Sequence, residues 1–335
     1  MKSLSLELPK ETIDIYNDPN CIEQILPKHD YMLYWKAKDG SFKKTSKYTP
    51  VKESVKNSLD REINISKHLD GISSPYINIP KWYKTETGTP VITQKYLDGG
   101  DLLTYVVENP SKGLDIGINF LKCIREILPI LYDQKIHFGD FSLENFMVEK
   151  DEEGNLKKII LIDFGQAEIY TDDESTFWKP KCYQNIRPYL LPPDMFGKYG
   201  KEEIMLNQDK YERLFKKDMF VIGVLLYMIT SGEELWDPYL TGKNLSPENK
   251  KKMLMEFRDL WKHLLKNTKM SKDNRVILTI LDGLLNPNLD NIMSISDLFF
   301  LIDLLNKNHT KRNIFSEDTD EYNNDSYKSK RIRTD

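Results

Sequence analysis

Two short stretches of this 335-residue chain decide its fold: HFGDFSLEN at residues 137–145 and LIDFG at residues 161–165. Between them lie two strand-like apolar runs, residues 146–148 and 158–162, which are separated by the polar, turn-rich residues 151–155. Two apolar runs joined by a short polar turn predict a β-hairpin. A hairpin returns the chain to the place where it started, so residues far apart in sequence meet at one end.

The predicted hairpin gathers three oxygen-bearing side chains. Asn145 stands at the entry to the first strand, Asp163 follows the second, and Asp140 lies on the loop that leads in. Carboxylate and amide oxygens suit Mg²⁺, which keeps several waters and bridges the phosphates of a substrate. Each residue alone is most simply a turn or cap residue, but their combination predicts a site of phosphoryl transfer.

Composition excludes several classes of protein. The chain has 48 Lys and Arg against 52 Asp and Glu, a net charge of −4, so it lacks the basic excess of a dedicated nucleic-acid binder. Its 5 Trp, 18 Tyr and 14 Phe exclude a wholly disordered chain. Cys21, Cys123 and Cys182 are too few and too scattered for a disulfide framework or a zinc site.

The apolar segments are too short to span a bilayer. The longest, Met219–Ile229, falls well below the roughly 20 residues required and predicts a buried helix. The N-terminus lacks the apolar run of a signal peptide. We therefore expect a cytoplasmic protein with no membrane or nucleic-acid partner, although the basic residues 328–333 leave nuclear import open.

The secondary-structure signals change at Gly99-Gly100. Before it the chain is rich in strand formers, with an Asp39-Gly40 hairpin signal and one helical segment at about residues 54–69. After it the pattern is mostly helical, at about residues 101–109, 114–134, 213–231, 248–266, 273–285 and 294–306. The fold class predicted is α+β, with a small antiparallel sheet and one helix followed by a large, mainly helical part.

These motifs resemble those of the protein kinase superfamily, whose catalytic loop carries an Asp and, five residues later, an Asn, with an Asp-Phe-Gly further along the chain. The resemblance implies that Asp140 orients the substrate hydroxyl as a base and that Asn145 and Asp163 hold Mg²⁺ on the phosphates of ATP. It covers about residues 30–306 and implies a two-lobed fold. Its expected parts are an N-terminal extension (1–25), an N-lobe (26–97), a C-lobe (98–309) and a disordered tail (310–335).

The segment KYLDGGD at residues 95–101 is similar to the connection between the two kinase lobes. The resemblance implies that the backbone of Lys95, Tyr96 and Leu97 binds adenine and that Asp101 lies near the ribose.

Arg61-Glu62 resembles the helix whose Glu pairs with the lysine that anchors ATP. We favour Lys52 as that lysine. Lys47 and Lys44, which lie 15 and 18 residues before Glu62, remain alternatives.

Two later segments also fit. Asp218, five residues before Gly223, resembles the aspartate that braces the catalytic loop. Leu191–Asp194 resembles the Ala-Pro-Glu that closes the activation segment, a feature of protein kinases rather than of small-molecule enzymes with the same fold.

The chain departs from the family pattern in three places. No glycine occurs at residues 27–33, where a glycine-rich loop should cover the phosphates, Gly139 stands where Arg is common, and Ser142 replaces a Lys. The first departure predicts looser cover of ATP. In this glycine-poor loop the chain resembles the apicomplexan FIKK group of kinases. The second predicts activity that needs no phosphate on the activation segment.

The sequence predicts an ATP- and Mg²⁺-dependent protein kinase acting on Ser or Thr of protein substrates. Two other interpretations stay open. One is a pseudokinase scaffold with weak or no catalysis. The other is a small-molecule phosphotransferase of kinase-like fold, because residues 137–140 loosely resemble the His-Gly-Asp of those enzymes.

Overall fold

The computed structural model describes residues 21–25, 31–47, 51–86, 88–170, 210–233, 235, 247–266 and 270–316. The described strands are β1 (Cys21–Ile25), β2 (Met32–Ala37), β3 (Ser41–Ser46), β4 (Lys81–Lys84), β5 (Pro90–Lys95), β6 (Ile136–His137), β7 (Phe146–Lys150), β8 (Leu156–Leu161) and β9 (Glu168–Ile169). The described helices are α1 (Glu53–His68), α2 (Leu102–Glu108), α3 (Gly113–Asp133), α4 (Lys210–Ser231), α5 (Pro247–Leu265), α6 (Lys272–Leu284) and α7 (Ile295–Ser316). The predicted α+β class is confirmed: a strand-rich small lobe precedes a mainly helical large lobe.

The small lobe is one antiparallel sheet with the strand order β1-β2-β3-β5-β4. Its β2–β3 hairpin turns at Asp39-Gly40, as predicted, and the N–H of Gly40 donates to the carbonyl of Ala37 at 3.0 Å. Gly40 has a φ of +76°, a left-handed conformation that glycine adopts without the steric cost of a Cβ.

Strand β1 changes the expected boundary of the small lobe. It pairs with β2 from Cys21, opposite Ala37, to Ile25, opposite Tyr34. The last five residues of the predicted N-terminal extension 1–25 are therefore a strand of the sheet. Residues 1–20 lie outside the described part of the chain.

Helix α1 covers one face of the sheet. Val55, Leu59 and Ile63 recur at a spacing of four, are buried, and pack with Met32 of β2 and Ile92 of β5. Apolar residues at this spacing form one stripe along a helix, so the stripe fixes how α1 is rotated on the sheet. That rotation also decides where the side chain next to Ile63, Glu62, can reach.

Helix α3 is the centre of the large lobe. Its side chains Phe120, Leu121, Ile124 and Leu128 have no exposed surface, and α3 packs against α4, α7 and β8. The predicted apolar segment Met219–Ile229 is part of α4, and most of its side chains are buried in this core. Over the ranges that the structure describes, no helix is both long enough and apolar enough to cross a membrane.

The hairpin predicted between the two motif stretches is confirmed. β7 and β8 are antiparallel, with Phe146 opposite Leu161 and Val148 opposite Ile159. All four side chains are fully buried, which fixes the register of the hairpin against the helices.

The Gly99-Gly100 connection between the lobes lies tightly against β7. The carbonyl of Gly100 accepts a hydrogen bond from the N–H of Val148 at 2.9 Å, and Asp101 forms a bridge with Met147. A Cβ on Gly99 would overlap the carbonyl of Val148. The two glycines therefore allow the backbone of the connection to approach that of β7 closely, and they also allow the chain to change direction.

At its C-terminal end the large lobe continues past residue 309, where the sequence placed its boundary. Helix α7 runs to Ser316, and residues 317–335 lie outside the described part of the chain.

We predict that Gly99→Ala lowers the free energy of unfolding by about 1–3 kcal/mol, because the new methyl group must displace the backbone of β7. Thermal unfolding measures this. Gly283→Ala is the matched control, since its methyl group would meet the side chain of Met293, most closely at its flexible end, and should cost less than about 1 kcal/mol. Equal melting temperatures for the two variants would contradict the close approach at Gly99.

Candidate active site

A lysine, a glutamate and an aspartate from three separate segments meet in the cleft between the lobes. Lys44 of β3 places its Nζ 2.6 Å from Oε1 of Glu62 on α1 and 3.1 Å from Oδ1 of Asp163, which follows β8. The side chains of Lys44 and Glu62 are 5% and 0% exposed, whereas that of Asp163 is 48% exposed. The cluster therefore has a buried end at Glu62 and an open end at Asp163.

The favoured pairing of Lys52 with Glu62 is wrong, and the alternative Lys44 is the partner. Strand β3 ends at Ser46, and Lys52 sits at the N-terminal boundary of α1, with its Nζ 3.8 Å from the ring centroid of Tyr31. Lys47 follows the end of β3. The spacing of 18 residues between Lys44 and Glu62 was the signal in favour of Lys44, because family spacing is longer than the ten residues from Lys52.

Lys44 favours the charged form of both carboxylates, and both carboxylates favour the charged form of Lys44. Burial disfavours the ammonium of Lys44, but Asp163 and Glu62 outweigh this cost and raise the pKa of Lys44. Partial burial also opposes the charge of Asp163, but the Lys44 ammonium and the N–H of Gly165 lower the pKa of Asp163 below its ordinary value. Burial raises the pKa of Glu62 to about 7, against the attraction of Lys44. At neutral pH the exposed Asp163 is thus ionised, as a metal ligand must be.

The backbone after β8 is shaped to fit this cluster. Asp163 has a φ of +57°, a left-handed conformation that is unusual for a residue with a Cβ, and its Oδ1 accepts the N–H of Gly165 at 3.1 Å. A Cβ on Gly165 would lie 2.5 Å from Oγ of Ser58 and 3.3 Å from Oε1 of Glu62. With glycine at this position, the segment passes close to α1 without displacing the side chains of Ser58 and Glu62.

Arg61 forms a second link between α1 and the segment after Asp163. Its Nη1 donates to the carbonyl of Gly165 at 3.3 Å and to Oε1 of Gln166 at 3.4 Å. Its Nη2 lies 3.3 Å from Oε1 of Glu168, and both side chains of this ion pair are about one quarter exposed. Arg61 therefore contacts the segment from 163 to 168 directly, and its neighbour Glu62 reaches that segment through Lys44.

Asp140 and Asn145 meet on the loop before β7. Nδ2 of Asn145 donates to the backbone carbonyl of Asp140 at 2.7 Å and to its Oδ2 at 3.1 Å. The carbonyl of Asn145 accepts the N–H of Ile162 at 2.9 Å, directly before Asp163. The hairpin thus returns the chain to Asn145, as the sequence predicts.

Asp218 of α4 supports this loop from inside the large lobe. Its Oδ2 accepts the N–H of Phe138 at 3.2 Å, and its Oδ1 lies 3.3 Å from Nε2 of His137. Burial alone would raise the pKa of Asp218, but His137 and nearby donors outweigh it and lower the pKa. Asp218 thus contacts the loop as predicted, and His137 is part of the support.

A row of phenylalanines, which the sequence did not single out, lies beneath the loop. Ring centroids are 5.3 Å apart for Phe164 and Phe138, 4.6 Å for Phe138 and Phe141, 6.1 Å for Phe141 and Phe146, and 5.3 Å for Phe146 and Phe120. A buried Phe gives no functional signal of its own in a sequence. Here the row connects both motif stretches to α3.

The connection between the lobes lies after β5 and before α2, as the sequence predicts. Asp101 is the N-cap of α2: its Oδ1 accepts the N–H of Thr104 at 2.8 Å and its Oδ2 the hydroxyl of Thr104 at 2.9 Å. The N–H of Tyr96 donates to the carbonyl of Gly40 at 3.1 Å. The N–H and the carbonyl of Lys95 both form hydrogen bonds with the side chain of Asn78. The implied contacts of Lys95, Tyr96, Leu97 and Asp101 with ATP stay predictions.

The site suits Mg²⁺ carried by a phosphate ligand. Asp163 offers an ionised, half-exposed carboxylate, and Asn145 offers an amide oxygen, since its amide nitrogen donates to Asp140. Among the described residues, no group of three or more His, Cys, Asp or Glu side chains could hold a metal on its own. A cation here would complete its shell with waters and phosphate oxygens, which is how Mg²⁺ is commonly bound.

Comparison with known sequences agrees with this geometry. The sequence profile of the protein kinase domain matches residues 36–319. The chain belongs to the protein kinase family.

Curated relatives share this region at low identity. The serine/threonine-protein kinase RAD53 of Saccharomyces cerevisiae is 23% identical over 223 residues, which cover 65% of this chain and 26% of that protein. The ovarian-specific serine/threonine-protein kinase Lok of Drosophila melanogaster is 22% identical over 238 residues, 71% of this chain and 46% of that protein. The human myosin light chain kinase family member 4 is 28% identical over 186 residues, 54% of this chain and 40% of that protein. The chain spans less than half the length of these three relatives, and the similarity to the FIKK group stays a prediction.

We predict that Lys44→Met lowers the affinity for Mg²⁺-ATP by at least about tenfold, the cost of a charge-assisted contact, whereas Lys52→Met changes it by less than about twofold. The shift of the melting temperature on adding Mg²⁺-ATP measures the affinity. Lys47→Met is a further control, and the melting temperature without nucleotide shows whether the variants are folded. An intact response in Lys44→Met, or a lost one in Lys52→Met, would reverse the assignment.

Proposed function

We propose that the chain is an active protein kinase that transfers the γ-phosphate of ATP, with Mg²⁺, to Ser or Thr hydroxyls of protein substrates. The observation that carries the proposal is the cluster of Lys44, Glu62 and Asp163, beside a loop on which Asp140 and Asn145 are hydrogen-bonded to each other. A scaffold has no chemical need for this whole set. The names of two relatives, which are serine/threonine-protein kinases, support Ser or Thr as acceptor.

Each side chain has one task in the proposed reaction. Lys44 places a positive charge against the phosphates, and Glu62 holds Lys44 in that position. Asn145 and Asp163 hold Mg²⁺, which neutralises charge on the phosphate oxygens when bound. Asp140 orients the attacking hydroxyl and accepts its proton.

The chemical step breaks one bond and forms one. The substrate hydroxyl oxygen bonds to the γ-phosphorus, and the bond from that phosphorus to the oxygen bridging the β- and γ-phosphates breaks. ADP leaves with the electron pair of the broken bond. The transition state of such transfers is loose, so positioning and neutralisation of charge account for most of the rate.

The activation segment is proposed to work without phosphorylation. Gly139 leaves no cation directly before Asp140 to receive a phosphate. Arg61, a cation on α1 that contacts the segment, is already paired with the carboxylate of Glu168. Among the described residues, this cation therefore already has an internal carboxylate as its partner. The candidate phosphorylation residues 171–176 lie outside the described part of the chain.

We predict that Asp163→Asn and Asp140→Asn each lower phosphate transfer to a Ser/Thr peptide library by at least about 100-fold, through loss of a metal ligand and of the base. Transfer of labelled phosphate from Mg²⁺-ATP measures this. Asp60→Asn is the matched control, because Asp60 is exposed and lies on α1 two residues from Glu62.

Two results would refute the proposal, each in favour of another interpretation. Absence of transfer to any peptide, whether or not the wild-type chain binds Mg²⁺-ATP, would indicate a pseudokinase. The absent glycines and the buried Ser142 are the specific observations for it. Transfer to small alcohols or amines but to no peptide would indicate a small-molecule phosphotransferase.

We predict that phosphatase treatment leaves the activity unchanged within about twofold. Arg61→Glu and Glu168→Arg should each lower it by about 2–5-fold, in keeping with the modest energy of a partly exposed ion pair. The double variant Arg61→Glu/Glu168→Arg should recover part of the activity, because the ion pair is restored in reverse but the hydrogen bonds from Arg61 to Gly165 and Gln166 are not. Arg125→Glu, which breaks the remote pair with Asp303, is the control. A double variant no better than the weaker single one would show that the pair does not act as a unit.

A further inference from the structure

The loop between α1 and β4 joins the strand that ends next to Asp163. Ile77 forms a parallel bridge with Leu161, the last residue of β8. The N–H of Leu161 donates to the carbonyl of Tyr76, and the N–H of Asn78 donates to the carbonyl of Leu161, both at 2.9 Å. This loop of the small lobe is therefore fastened to the large lobe two residues before Asp163.

The side chain of Asn78 is fastened to the connection between the lobes. Its Nδ2 donates to the carbonyl of Lys95 at 2.9 Å, and its Oδ1 accepts the N–H of Lys95 at 3.2 Å. Its backbone carbonyl accepts Nε2 of Gln94 at 2.5 Å. One residue thus contacts the end of β5 through three hydrogen bonds and the end of β8 through a fourth.

The position requires an asparagine for a physical reason. Strand β4 begins at Lys81, opposite Thr93, so β4 does not extend far enough to pair with Lys95. An N–H and a carbonyl that lack a strand partner need another donor and another acceptor. An amide side chain supplies one of each, whereas a carboxylate at this position would have no donor.

We propose that Asn78 is a positioning residue of the nucleotide site. It holds the connection Lys95–Leu97 in register with the end of β8, and so fixes the distance between the backbone that binds the base and Asp163, which binds the metal on the phosphates. The inference rests on the proposed function, because that function places ATP between these two segments. Asn78 itself need not touch the nucleotide.

The test compares Asn78→Ala and Asn78→Asp with the control Asn109→Ala. Asn109 also donates from Nδ2 to a backbone carbonyl at 2.9 Å and, like Asn78, is a residue of intermediate exposure, but it lies at the end of α2. We predict that Asn78→Ala raises the KM for ATP by about tenfold, the equivalent of one or two lost hydrogen bonds. Asn78→Asp should raise it further, since a carboxylate would face the carbonyl of Lys95. The KM for the peptide should change by less than about twofold in every variant.

Measuring kcat and the KM for ATP separately distinguishes a positioning role of Asn78 from a general loss of stability. A purely structural loss reduces the folded fraction, which lowers kcat in proportion but leaves the KM of the remaining folded enzyme unchanged. The melting temperature of each variant gives the folded fraction. If Asn78→Ala does not fold, Asn78→Ser, which keeps one hydroxyl at this place, provides the same comparison.

Failure of this inference and failure of the proposed function give different results. The affinity for Mg²⁺-ATP from thermal shifts does not depend on turnover, so the role of Asn78 can be measured even in a scaffold that binds nucleotide. An unchanged KM and affinity for ATP in the folded Asn78 variants would overturn the inference alone. A wild-type chain that does not bind Mg²⁺-ATP would overturn both.

Discussion

The ammonium of Lys44, shared between Glu62 and Asp163, is the contact on which the rest of the cleft depends. A fully buried carboxylate such as Glu62 is costly unless a cation accompanies it, and breaking a buried pair is more costly than never having formed it. The pair therefore fixes α1 relative to β3 from within the small lobe. The bond from Lys44 to Asp163 then carries that constraint across the cleft to the end of β8.

The large lobe holds its side of the cleft by different means. Asp218 accepts the N–H of Phe138 from below the loop, and the phenylalanine row fills the space between that loop and α3. Buried aromatic packing and a buried carboxylate leave little freedom for the loop that carries Asp140. The cleft thus has one wall fixed by charge and the other fixed by packing.

Local patterns in the sequence were sufficient for the elements and for much of the site. Hairpin signals, helical periodicity and the spacing from Asp140 to Asn145 depend on neighbours along the chain, which is why the hairpins and the return of the chain to Asn145 could be predicted. Lys44 and Lys52 could not be separated in this way, because strand alternation in the sequence suits either lysine. Only the register of β3 and the rotation of α1 decide which one reaches Glu62. The role of Asn78 was equally hidden, since its partners lie at the ends of two strands distant in sequence.

Gly165 limits how this site can change over evolutionary time. Every codon change that gives position 165 a side chain introduces a Cβ into the space held by Ser58 and Glu62. Accommodating that atom would require the hydroxyl of Ser58 to rotate away or α1 to shift, and a shift of α1 would move Glu62 relative to Lys44. A substitution at position 165 would therefore first disturb side chains of α1, which lies far earlier in the sequence. The geometry of the site therefore depends on the absence of a side chain at position 165 as well as on the charged groups around it.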